Sequence, residues 1–100
     1  MHYAVTARFV PGTAVEFQRI LTDGTIEGQK PDGREIVSSM KRARIDEVGV
    51  VRWSEVCYCS TPLGHERATV YDRFFVDLET EEIQDHAIFE GEDFMEFLSR

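Results

Sequence analysis

The sequence predicts a single α+β domain, and three observations carry that expectation. Apolar residues alternate with a period of two in some stretches and recur at helical spacing in others. Turn-forming Pro, Gly and Asp separate these stretches at short intervals. A content of 42% hydrophobic residues in a chain of 100 supplies one packed core and no more. The expected arrangement is a βαββαβ antiparallel sheet with its helices on one face, closed by a short acidic helix over 91–100. The alternative is one helix on a four- to five-stranded antiparallel sheet.

The first strand is expected where Tyr3, Val5, Ala7 and Phe9 alternate with His2, Ala4, Thr6 and Arg8. Pro11-Gly12 ends it. Thr13 is a plausible N-cap for a helix over 13–23, in which Val15, Phe17, Ile20 and Leu21 recur roughly at helical spacing before Asp23-Gly24. Lys30-Pro31-Asp32-Gly33 reads as a turn with Gly33 at positive φ. A long strand is expected from Arg34 to about Ile45, although neither of its faces is wholly apolar. Asp46-Glu47-Val48-Gly49 then forms a hairpin connection to a return strand from Val50 to Cys59. On that strand Val51, Trp53, Glu55, Cys57 and Cys59 share one face, expected to be the core face.

Ser60-Thr61-Pro62 has the form of a cap followed by Pro at the first helical position. If 62–78 is a helix, Leu63, Val70, Tyr71, Phe74, Phe75 and Leu78 fall within an arc of about 140°. A strand competes, because Ala68, Val70, Phe74, Val76 and Leu78 also alternate and Val, Tyr and Phe favour strands. A last strand is expected over 82–89. Glu92 and Asp93 then open the final helix, whose apolar face is Phe94, Met95, Phe97 and Leu98.

Composition excludes several partners. The halves differ in charge: residues 1–50 carry seven basic and seven acidic side chains, and residues 51–100 carry four and twelve, which accounts for the net charge of −8. A late acidic run from Asp77 to Glu96 repels phosphate backbones, so no nucleic-acid partner is expected. Neither a basic leader nor a long apolar block opens the chain. The expectation is therefore a cytoplasmic protein with no membrane span, whose two Cys are free thiols. Gly24 and Gly28 lack the Gly-Lys-Ser/Thr of a phosphate loop, no Ser sits in a nucleophile elbow, and no cofactor is expected.

Two constellations could carry chemistry. Cys57 and Cys59 point the same way on a strand, and His65 from the following loop could complete three ligands to zinc. Against this, C-x-C lacks the two-residue gap of a metal knuckle and no second Cys pair exists. Cys57 and Cys59 then read as small buried hydrophobes beside Trp53, with no metal. The second constellation is His65, Glu66, Arg67, Tyr71, Asp72 and Arg73. On a helix, His65 and Asp72 share a side with Thr69, so a carboxylate could orient the imidazole. On a strand, Arg67, Thr69, Tyr71 and Arg73 line one face suited to an anionic ligand. Solvated charge pairs explain the same residues, and His2 and His86 read as ordinary strand residues.

The element order resembles the ferredoxin-like fold and, at this length, the dimeric α+β barrel superfamily, in which two sheets pack face to face. That resemblance implies a homodimer with a pocket between each sheet and its helices, in a superfamily that includes small monooxygenases and isomerases. The words T-D-G-T-I-E, P-D-G-R-E-I-V and H-E-R-A-T-V-Y-D-R resemble those of small cyanobacterial proteins, a likeness that implies no activity. Two functions follow as expectations. One is a homodimeric accessory domain that offers its acidic C-terminal region to a basic protein partner. The other is a small enzyme or small-molecule binder with a pocket lined by Trp53, Cys57, His65, Arg67, Tyr71 and Arg73.

Overall fold

A computed structural model describes residues 1–100. Strand β1 (His2–Phe9) keeps the expected alternation and buries Tyr3, Val5, Ala7 and Phe9. After Pro11-Gly12, helix α1 (Ala14–Thr22) buries Phe17, Ile20 and Leu21, while Val15 faces solvent. Thr13 does not cap it by side chain: its hydroxyl donates back to the Val10 carbonyl at 2.8 Å.

The largest correction falls on 34–45. The segment expected to be a strand is helix α2 (Gly33–Arg42), and only Arg44–Ile45 remains as strand β2. The reason lies in the spacing. Ile36, Val37 and Met40 meet at i, i+1 and i+4 on one helical face and are all buried, whereas a strand would divide them between two faces. Glu35 in the first turn and Lys41 and Arg42 in the last also suit the helix dipole. Gly33 is needed for close approach rather than for positive φ: a Cβ there would lie 2.0 Å from the Ile26 carbonyl oxygen.

The hairpin forms as expected. Asp46 accepts from the Val48 and Val50 N–H groups, at 3.0 Å each, and leads into β3 (Val50–Val56). β3 ends before the two Cys, which lie in the loop beyond it. Helix α3 spans 64–74. It is α-helical at Gly64–Glu66 and Asp72–Phe74 and has a π-turn at Arg67–Tyr71. The helix and strand readings of 62–78 each describe part of it, because the chain switches at Phe75 into β4 (Phe75–Ile83). A bulge in β4 sets Asp77 and Leu78 opposite the single Ala7, with Asp77 at φ 54°. No strand forms over 84–89. A two-residue strand, β5 (Glu92–Asp93), precedes α4 (Phe94–Leu98), and the Asp93 side chain caps α4 by accepting from the Met95 and Glu96 N–H groups.

The five strands form one open antiparallel sheet in the order β4-β1-β3-β2-β5, with four helices. Two helices precede β2 and a fifth strand is added at the edge, so the element order departs from βαββαβ. The alternative expectation of a four- to five-stranded antiparallel sheet fits. Buried side chains from all four helices meet the inner face of the sheet in one core. On the outer face, residues 84–91 run from the β4 edge to the β5 edge and touch β3 at Ser54, whose Oγ lies 2.9 Å from His86 Nδ1 and accepts from Ala87 N–H at 3.2 Å. No helix is long and apolar enough to cross a membrane.

Candidate functional site

Alternation along β3 turns Val51, Trp53 and Glu55 inward together. A carboxyl group is thereby carried into the core beside an indole. Glu55 is wholly buried, and its Oε1 accepts from Trp53 Nε1 at 2.9 Å and from the Tyr71 hydroxyl at 2.6 Å. Its Oε2 has no partner. An ionised carboxylate out of water costs several kcal/mol unless fully paired, so burial favours the protonated acid. Burial accordingly pushes Glu55 up to about 8 against the pull of its two donors, with the nearby Glu66 adding to the rise.

Glu66 is the second buried acid, 1% exposed and close enough to raise Glu55 further. The π-turn explains how Glu66 and Tyr71 reach the same place. Asp72 N–H donates to the Arg67 carbonyl, a five-residue step that widens the turn and brings residues five apart toward one side. In regular α-helix those two positions diverge by about 140°. Tyr71 is held well above its ordinary value by burial and by the Glu55 charge, so it stays a hydrogen-bond donor.

The loop after β3 adds sulfur. Cys57 Sγ lies 3.8 Å and Cys59 Sγ 3.4 Å from Glu66 Oε1, and the Cys59 N–H donates to Cys57 Sγ at 3.2 Å. Burial, more than any neighbour, pushes the Cys57 thiol up to about 12. The three donor atoms lie within 4.8 Å of one another, a set able to hold a metal ion. This cluster opens into a cavity of about 380 Å³ whose lining includes Asp32, Glu35, Cys57, Cys59 and Glu66. Glu35 is anchored at its wall by accepting from Val56 N–H at 2.9 Å and pairing with Arg42 at 3.2 Å. A second cleft, of about 420 Å³ beside Asp46 and Glu90, has Ile45 as its one apolar lining residue and contains no thiol.

The residues singled out in the sequence are divided by this geometry. Trp53, Tyr71 and Cys57 converge around the two acids. His65 stands at the rim, its Nδ1 2.6 Å from Asp32 Oδ2 rather than near either Cys. Arg67 turns to Asp72 at 3.6 Å, and Arg73 lies over the Phe74 ring. Neither Arg lines the cavity. Glu66 is in the constellation around His65, read there as a solvated charge, and Glu55 is outside it, although Glu55 carries a signal: it is a charged residue on the face assigned to the core. No family model matches the chain. Neither a curated protein nor a solved structure matches it. Membership of the dimeric α+β barrel superfamily therefore has no support beyond the α+β class.

Proposed function

We propose that this domain is a small-molecule binder whose cavity at the end of β3 takes a cation. The observation that carries the reading is the lining: three carboxylates and two thiols, with no basic side chain. Such a cavity concentrates positive charge and disfavours carboxylate or phosphate ligands. The two buried acids, Glu66 in the lining and Glu55 outside it, support the same reading, because a hydrophobic pair in their place would be cheaper for stability.

Calorimetric titration with putrescine and with succinate at physiological salt tests it. Putrescine is expected to bind and succinate is not, and Glu35→Gln together with Glu66→Gln should weaken putrescine by roughly tenfold, about 1.4 kcal/mol. Equal affinity for both ligands, or no change in the double variant, would overturn the reading.

A second reading, self-association, is favoured by the outer face of the sheet. No helix covers it, residues 84–91 cross it at Ser54, and Arg8, Val76, Glu79 and Glu81 stand exposed on its β1–β4 part. Charges of both signs on one face suit an isologous contact between two copies. Sheet-to-sheet pairing is what the dimeric α+β barrel resemblance would add. Sedimentation at low and high salt tests this: a dimer that weakens with salt is expected, and a monomer throughout refutes it. The acidic stretch after Asp77 remains the surface for a basic protein partner in this reading.

A further inference from the structure

We infer that Cys57, Cys59 and Glu66 form a binding site for a thiophilic divalent cation, with Zn²⁺ the best match. The inference rests on the cation-binding reading and names the class of cation. The donor set decides the class, since two thiols and one carboxylate suit zinc and poorly suit the oxygen-seeking Mg²⁺ and Ca²⁺. Geometry agrees. A tetrahedral zinc with Zn–S of about 2.3 Å and Zn–O of about 2.1 Å holds sulfur and oxygen about 3.6 Å apart. The sulfurs here lie 3.8 and 3.4 Å from Glu66 Oε1 before any adjustment.

Both thiols donate to that single oxygen, so two S–H protons occupy the place a cation would take. Exchange is balanced: Zn²⁺ enters, two Zn–S bonds form, two S–H bonds break, and both protons pass to water. The formal charge of the site is unchanged, which limits the burial penalty of loading it. Two further observations point to a ligand. Glu55 Oε2 is buried and without a partner. The Cys59 N–H already donates to Cys57 Sγ, as an outer partner that steadies a coordinating sulfur. Three protein ligands leave a fourth position, and the cavity lined by the same residues gives it access to a small molecule.

The test is Co²⁺ titration of the full, reduced chain, followed by competition with Zn²⁺. A sulfur-to-cobalt charge-transfer band and tetrahedral d–d bands, saturating at one ion per chain and displaced by Zn²⁺, are expected. Cys59→Ser, at a partly exposed position, should fold as the wild type does by its melting curve in chelator. It should weaken Zn²⁺ more than about 100-fold, because losing even an outer partner costs 10–100-fold. His65→Ala should bind as the wild type does, since His65 pairs with Asp32 instead. Absence of the sulfur band, a Cys59→Ser variant as tight as wild type, or loss of binding in His65→Ala would overturn the assignment. Putrescine separates the two readings. If it still binds while Co²⁺ gives no sulfur band, the metal site falls alone; if neither binds, both readings fall.

Discussion

The core has two unlike halves. Around Phe17 it is apolar and rich in rings: Phe17 stacks on Phe74 with centroids 4.1 Å apart, and Phe75 and Phe94 meet Phe17 edge-on at 5.8 and 6.1 Å. Around Trp53 it holds two acids, a phenol and a thiol, with one carboxyl oxygen unpaired. Both halves exclude water, yet only the first is built as stability alone would have it. The second spends burial on groups that prefer water, which is the mark of a site.

Substitutions should separate the halves, and the largest effect belongs to the aromatic one. Phe17→Ala removes a fully buried ring from a stack and should cost about 3–5 kcal/mol in urea unfolding, with no change in cation binding. Glu55→Gln should instead change how stability depends on pH. In chelator, the folded value of Glu55 near 8 lies above the unfolded value near 4.5, so between them the folded state holds the extra proton. Stability from this group is therefore present at low pH and is lost as pH rises through about 8, by roughly several kcal/mol. Glu55→Gln should flatten that decline and be more stable than wild type at pH 9. A wild-type stability that rises over the same window would contradict the environment assigned to Glu55.

Tyr71→Phe comes next. It keeps the ring against Trp53, 5.2 Å between centroids, but strips Glu55 of a donor, and should cost about 1–3 kcal/mol near neutral pH. The smallest effect lies outside both halves, at the β2–β3 turn. The Asp46 carboxylate is held below its ordinary value by the Val50 N–H and by Arg52. Its contribution is present above the unfolded value and is lost as pH falls through the folded one. Asp46→Ala should therefore lower the unfolding midpoint slightly at pH 7 and not at all in strong acid.

Strands β1 and β3 could be read in the sequence, because apolar residues alternate along β1 and turn inward together on β3, and Asp46-Glu47-Val48-Gly49 leaves few other conformations. Helix α2 could not be, since Glu35, Val37 and Ser39 also satisfy a period of two, and what decides is the tertiary burial of Val37 together with Ile36 and Met40 on one side. The switch from α3 to β4 at Phe75 was hidden because the apolar run 70–78 serves both structures. The site was half legible. Trp53, Cys57 and Tyr71 stood out by type, and Glu55 by its place on a core face. Glu66 depends on a π-turn that no spacing rule announces, and so His65 took its place beside the Cys pair.

The central claim is that the polar half of the core, and not the acidic surface after Asp77, is where a cation binds. Amide chemical-shift mapping on labelled protein during Zn²⁺ titration tests this most directly. Shifts confined to residues 31–35, 55–59 and 66–71, saturating at one ion per chain, are the expected result. Shifts centred on 77–96, or spread without saturation, would contradict it.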